Sequence, residues 1–287
     1  MMVMRKLAIL FPVVCATLDV CAVTTINPTN KYAYGANVGW VDWRGDTNNG
    51  AIIGEFVCSG YVYAANVGWI NLGAGAPTNG IQYKNLSAND FGINNDGFGN
   101  LRGYAWGANI GWINFETNGA PRVDLKTGKM SGSVYSANCG WINLSDAFAV
   151  VQTDTIRGGA DTDANGLPDA WERLFFGTIG TNPNADPDHD GISNKQEYLA
   201  GTNPNDPNDR LRITAFSFAT GGTSASLTWQ SVSNRYYLIQ RALGLASPTW
   251  VSSSLIAPAG STTTTVIADT NAPRRFYRVE AVRPLGP

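Results

Sequence analysis

Gly103-Tyr104-Ala105-Trp106-Gly107-Ala108-Asn109-Ile110-Gly111-Trp112-Ile113-Asn114 holds the fullest copy of a phrase that the chain writes four times. Its core, Ala-Asn-x-Gly-Trp, also stands at 36–40, 65–69 and 137–141. Aromatic and β-branched residues alternate on both sides: Tyr32 and Tyr34, Tyr61 and Tyr63, Tyr104 and Trp106, Val134 and Tyr135 before it, and Val41, Ile70, Ile113 and Ile142 just after it. A period of two in such residues predicts strands. Asn-x-Gly between them predicts a tight bend or bulge. The tryptophans are spaced by 29, 43 and 29 residues, a pair of pairs offset by 72. A unit this short cannot bury a face alone, so the copies are expected to stack on one another. Asp96-Gly97 and Thr127-Gly128-Lys129 supply further hairpin turns.

Repetition of one Trp favours a structural wedge, buried between units. Trp43 and Trp106 fall outside the fourfold phrase and are the candidates for an exposed, glycan-stacking role. The phrase resembles one common in secreted bacterial surface proteins, which implies a location and no chemistry.

Downstream, a second pattern occurs twice. Asp161, Asp163, Asn165, Gly166, Asp169 and Glu172 stand at positions 1, 3, 5, 6, 9 and 12 of a loop, and Asp186, Asp188, Asp190, Gly191, Asn194 and Glu197 repeat that spacing 25 residues later. Side chains at 1, 3 and 5, the position-7 carbonyl (Leu167, Ile192) and a two-oxygen glutamate form the oxygen shell of an EF-hand loop. Each loop gathers four carboxylates that repel one another without a cation. Calcium fits better than magnesium, which takes fewer protein ligands. The spacing therefore predicts two calcium sites, against the plainer reading of a solvated acidic linker.

A helix is expected after each loop, over 168–175 and over 194–200, the second capped by Ser193 and stopped by Gly201. Neither loop has a convincing entering helix. Together the two segments, ending in Tyr198-Leu-Ala-Gly-Thr-Asn-Pro204, resemble bacterial thrombospondin type 3 repeats. That resemblance implies a calcium-stiffened spacer in a secreted or surface protein; the cysteines of the animal repeats are missing. A two-loop docking module of the dockerin type is the alternative.

After a Pro/Asn linker, short strands are expected at 211–218, 225–230, 236–241, 250–255, 262–267 and 275–282, separated by turn residues in the manner of a sandwich. Leu227-Thr-Trp229, Tyr236 to Arg241 and Phe276 to Val279 resemble a fibronectin type III domain, with Trp229 and Tyr277 as core. The fold class is thus mainly β: a signal peptide over 1–22, an antiparallel β-repeat domain over 23–152, calcium-binding loop-helix repeats over 158–209 and a β-sandwich over 210–284.

The leader reading rests on Arg5 and Lys6 followed by an apolar run to Val20 and the small-residue end Cys21-Ala22. A lipid-anchored Cys21 is the alternative. Once the leader is removed, no other apolar run is long enough to span a membrane. Removal also leaves Cys58 and Cys139, which form either one disulfide, closing a loop of about 80 residues and contributing about 4 kcal/mol, or two buried thiols.

Charged residues are 15% of the chain and net charge is −2, without a basic cluster, which argues against nucleic acid. The single histidine, His189, rules out Ser/His/Asp triads and multi-histidine zinc sites. Asp-Glu pairs for a glycosidase (Glu55 with Asp42, Glu116 with Asp124) have nothing in the sequence that places them in a cleft. The reading is a non-catalytic, secreted or cell-surface structural and adhesive protein. Its partners are cell-surface glycans or other extracellular proteins; a carbohydrate-binding protein using the repeats, or a hydrolase, are the alternatives.

Overall fold

The computed structural model describes residues 24–45, 48–219, 223–246, 249–268 and 275–286. The expected leader and Cys21 lie outside them. The protein is mainly β.

The repeats build four hairpins: β1 (Ile26–Gly35) with β2 (Gly39–Asp42), β3 (Ser59–Ala64) with β4 (Gly68–Ala74), and, after the short β5 (Ile93–Asn95), β6 (Leu101–Gly107) with β7 (Gly111–Asn114). The two-residue strands β8 (Arg122–Val123) and β9 (Met130–Ser131) precede the fourth, β10 (Ser133–Ser136) with β11 (Gly140–Asn143); β12 (Val151–Thr153) then pairs with β1. Neighbouring hairpins pair through β2–β3, β4–β6 and β7–β10, and β11 returns to β1 at Tyr34 and Asn143. The repeats close into an eight-stranded antiparallel barrel instead of stacking in a line. Closure removes the sheet edges that a linear array would expose.

Each Ala-Asn-x-Gly is the same three-residue turn. The x residue donates its backbone N–H to the last residue of the incoming strand (Val38 to Gly35, Val67 to Ala64, Ile110 to Gly107, each 3.2 Å, and Cys139 to Ser136, 3.3 Å). The following glycines have φ from 69° to 81°, a left-handed conformation that favours glycine. The asparagines tie the turns together. Asn66 Nδ2 donates to the Val38 carbonyl, Asn109 to Val67 and Asn138 to Ile110 (3.1 Å each), and Asn37 closes the circuit on Cys139 (3.0 Å). Asn is repeated because every turn needs a side-chain donor to reach its neighbour.

Side-chain parity then sorts the repeat. Trp40, Trp69, Trp112 and Trp141 point outward, 43–50% exposed. The next residue (Val41, Ile70, Ile113, Ile142) is buried, the Asx after it (Asp42, Asn71, Asn114, Asn143) lies outside, and the residue after that (Trp43, Leu72, Phe115, Leu144) is buried. Two expectations are therefore corrected. The repeated tryptophans are not wedges between units, because they share strand parity with the outer face. Trp43, at 2% exposure, belongs to the core and presents no face to a glycan. Trp106 is exposed and meets Trp112 edge-on, with ring centres 4.7 Å apart.

The pair-of-pairs spacing has a packing counterpart. Opposite Val41 and Ile113 sit Ala33 and Ala105, in the hairpins that carry the large Trp43 and Phe115. Opposite Ile70 and Ile142 sit Val62 and Val134, in the hairpins that carry the smaller Leu72 and Leu144. Trp43 meets Phe115 across the interior, 6.4 Å between ring centres. Small beside large alternates around the barrel interior.

Cys58 and Cys139 are both buried free thiols, so the disulfide is not formed. Cys139 occupies the x position of the fourth turn, where Val38, Val67 and Ile110 are buried in the other three, and serves as a small apolar residue. Cys58 leads into β3 and donates its N–H to Ile93; burial pushes its thiol up to about 12.

Two short helices follow, α1 (Asp169–Phe176) and α2 (Asn194–Ala200). Six strands then form two facing three-stranded sheets: β13 (Ile213–Phe218), β14 (Ser224–Gln230), β15 (Tyr236–Ala242), β16 (Val251–Ser252), β17 (Thr262–Ala268) and β18 (Phe276–Val282), in the orders β13-β14-β17 and β16-β15-β18. Ala225, Leu227, Trp229, Tyr237 and Ile239 are their core. Tyr277 packs against that core from a partly buried position. Past β18 the chain returns to the barrel, where the Leu285 carbonyl accepts from Ile156 (2.9 Å).

Parity gives a test. Phe115→Ala is expected to cost about 3–5 kcal/mol in denaturant unfolding, whereas Trp40→Ala, at the outward position, should cost about 1 kcal/mol. Equal losses would contradict the assignment of inner and outer faces.

Candidate calcium site

Both acidic loops fold in the same way, to a few tenths of an ångström. The position-1 aspartate accepts two backbone N–H groups: Asp161 from Asn165 (3.1 Å) and Gly166 (2.9 Å), and Asp186 from Asp190 (3.2 Å) and Gly191 (2.9 Å). The position-3 residues Asp163 and Asp188 accept from the same position-5 amides at 3.3 and 3.2 Å. Position 5 in turn accepts from position 7, Leu167 N–H to Asn165 at 2.7 Å and Ile192 N–H to Asp190 at 2.8 Å. Ala164 and His189, both at position 4, share a left-handed φ of 56° and 63°, and Gly166 and Gly191 follow at 88° and 92°. In the second loop these turns draw the short acidic side chains onto one centre. One carboxylate oxygen from each of Asp186, Asp188 and Asp190 falls within 4.8 Å of the others.

Packing brings in the glutamates. Leu167, Trp171 and Tyr198 form a small core with Phe56 of the barrel, Phe175 and Phe176 against it. This fixes α1 and α2, so that Glu172 and Glu197 are fully buried. Gly177 and Gly201 end the helices in left-handed conformation, and Ser193 opens α2, its N–H donating to Gln196 Oε1 (2.9 Å).

Among the described residues, one oxygen of each buried glutamate (Oε2 of Glu172 and of Glu197) has no hydrogen-bond donor, and neither do Oδ2 of Asp188, Oδ2 of Asp190 and Oδ1 of Asn194. A buried unpaired carboxylate oxygen is expensive unless a cation meets it. The donor set, all hard oxygen, fits calcium.

The two loops differ at position 5. Asp190 presents a second carboxylate oxygen, whereas Asn165 presents an amide that already donates to Asp163 (2.9 Å), Glu172 (3.2 Å) and the Thr181 carbonyl (3.0 Å). The first loop thus carries an internal substitute for part of an ion's charge, and an ion there must displace it. At position 9, Asp169 is turned to Thr162, accepting from its N–H (2.8 Å) and hydroxyl (2.6 Å). Asn194, its counterpart, has Pro187 and no hydroxyl at position 2 of its loop and donates instead to the Asn182 carbonyl (2.9 Å). Both brace their loops.

Residues 186–207 match the bacterial TSP3 repeat. This is a calcium-binding repeat of a kind found in extracellular proteins. No curated protein and no solved structure matches the chain. The first loop lies outside the matched stretch, and its claim to a second ion rests on the shared geometry.

The sequence reading missed what surrounds the site. Glu55, in the barrel, accepts from Tyr198 Oη (3.0 Å), Arg235 Nη2 (3.3 Å) and Arg283 Nη2 (3.1 Å). Arg235 also donates to the Leu199 and Tyr198 carbonyls at the end of α2 (2.9 Å each). Three parts of the chain meet on one carboxylate. Its scarcity was the available signal, since Glu55 is one of three glutamates outside the loops. Asp42, expected as its partner, instead pairs with Lys31 (2.7 Å). Asp124 of the other pair closes its own turn on Lys126 and Thr127.

Burial, with Asp188 and Asp190 nearby, pushes Glu197 up to about 7 from an ordinary 4.5. A raised carboxyl means that the calcium-free fold binds more protons than the unfolded chain between those values, so its stability falls as pH rises through that window. Calcium must displace the proton. Affinity at the second loop is therefore expected to fall as pH drops below about 7, with proton release on binding; titration calorimetry in buffers of different ionisation enthalpy would show both. Asp190→Ala should abolish the second site and Glu172→Gln weaken the first, and two unchanged sites in both variants would refute the assignment.

Proposed function

We propose that this is a non-catalytic, secreted or cell-surface structural protein with an adhesive role, in which calcium orders the joint between a β-barrel and a fibronectin type III-like sandwich. The observation that carries the reading is the Glu55 cluster. Glu197 ends the second loop and Tyr198 follows it immediately. Calcium that fixes Glu197 therefore fixes Tyr198 on Glu55 and presents the end of α2 to Arg235. A guanidinium against two terminal helix carbonyls also complements the helix dipole. Burial lowers the Arg235 pKa, with Glu55 acting in the opposite direction. The buried charges hold only as a set: removing one partner of such a pair costs about 3–5 kcal/mol.

The segment is therefore less a free-standing spacer than a joint. Export through the leader and two ions per chain complete the proposal. Non-catalytic action agrees with Glu55 being engaged by two arginines.

In small-angle scattering, chelation is expected to enlarge the particle while circular dichroism keeps the signature of both β-regions. Glu55→Ala should enlarge it with calcium present. Equal dimensions in all three states would overturn the joint.

A further inference from the structure

The outer face of the barrel has a chemistry that the calcium-ordered joint does not use. Tyr34 faces Trp40, Tyr63 faces Trp69, Trp106 faces Trp112 and Tyr135 faces Trp141 across their hairpins, with ring centres 4.7–5.2 Å apart. Between hairpins each aromatic pair meets a polar side chain: Asp42 is registered with Tyr63, Asn71 with Trp106, Asn114 with Tyr135 and Asn143 with Tyr34. An apolar partner would favour an unbroken apolar belt; here every second position carries hydrogen-bonding groups.

At the fourth hairpin the pattern opens into a cleft of about 260 Å³ lined by Asn114, Glu116, Asn118, Tyr135 and Trp141. The Trp141 ring is held in place, tilted against Tyr135 at 5.1 Å, while the helical turn 117–119 lies beside it: a Cβ on Gly119 would sit 2.9 Å from the ring. Asn114 Oδ1 accepts from the Glu116 N–H (2.6 Å), and Glu116 Oε1 accepts from Gly103 N–H (2.9 Å), which fixes both side chains. The Asn114 Nδ2 group meets no acceptor among the described residues and remains a donor for a ligand. One rigid aromatic face, amide donors and one carboxylate acceptor in a concave site suit a small amphipathic ligand.

We infer that this cleft is a saccharide-binding site and that its ligand is a neutral sugar chain, stacked on Trp141 and hydrogen-bonded by Asn114, Asn118 and Glu116. The charge is decisive for the class. Glu116 lines the cleft and neither Lys nor Arg does, so uronic and sulfated chains meet a carboxylate with no compensating cation. Asn118 is exposed and at hand for an equatorial or axial hydroxyl. The inference rests on the barrel alone and is independent of calcium.

The test is titration of the whole protein, with and without EDTA, with cellohexaose, xylohexaose, mannohexaose, chitohexaose and hexagalacturonate, followed by tryptophan fluorescence and calorimetry. At least one neutral chain is expected to bind and hexagalacturonate not to, with EDTA making no difference. Trp141→Ala should weaken binding about tenfold or more, about 1.4 kcal/mol, Trp141→Phe less, and Trp40→Ala by less than about twofold, with thermal melting showing each variant folded. Absence of binding by every neutral chain, selective binding of hexagalacturonate, or undiminished binding by folded Trp141→Ala would each overturn the inference. Because the calcium-ordered joint is read from scattering, either proposal can fail without the other.

Discussion

Two buried carboxylates, on Glu172 and Glu197, each keep one oxygen that meets no hydrogen-bond donor among the described residues, and the middle of the chain is arranged around that deficit. A buried carboxylate without a donor or cation is among the costlier features a fold can carry. Here it recurs at the same loop position twice, and in the second loop Asp186, Asp188 and Asp190 converge on one another. The fold supports this because α1 and α2 share a core of Leu167, Trp171 and Tyr198, which buries both glutamates. In the proposed role, calcium turns a repulsive cluster into the fixed end of a helix. That helix carries Tyr198 to Glu55, and through Glu55 and Arg235 the barrel and the sandwich are joined.

The barrel is stable on other grounds. Its closure depends on small polar details, four asparagines bonding turn to turn and four glycines permitting the bend, together with an interior in which Ala33 and Ala105 make room for Trp43 and Phe115. Outward parity leaves the tryptophans on the surface, each against an aromatic ring across its hairpin. The aromatic exterior and the calcium-ordered joint are thus separate inventions on one chain.

Much of this was legible in the sequence. Strand positions, the turn phrase, the end of α2 at Gly201 and the acidic loops themselves follow from period, glycine and acidic spacing. The buried place of Trp229 followed from the sandwich pattern. The orientation of the repeated tryptophans did not, although the information was present: Trp40 and Trp43 differ by three residues, an odd number, and so face opposite sides of a strand. Counting from the β-branched Val41 would have put Trp43 inside. Closure of the barrel was not legible, since the β11–β1 pairing joins residues more than a hundred positions apart and leaves no local trace. Nor was the Glu55 cluster, whose members come from positions 55, 198, 235 and 283. The sequence left Cys58 and Cys139 open between a disulfide and two buried thiols, and the structure has the thiols; packing explains Cys139 as a substitute for valine.

The central claim, that calcium fixes the helix on which barrel and sandwich meet, is tested most directly by hydrogen–deuterium exchange of the peptides spanning 186–202 and 232–242, with calcium and after chelation. The account predicts strong protection of both with calcium and its loss from both together on chelation, while the barrel peptides around Val62 and Ile113 stay protected. Unchanged exchange in the two peptides, or loss confined to 186–202 with 232–242 unaffected, would contradict it.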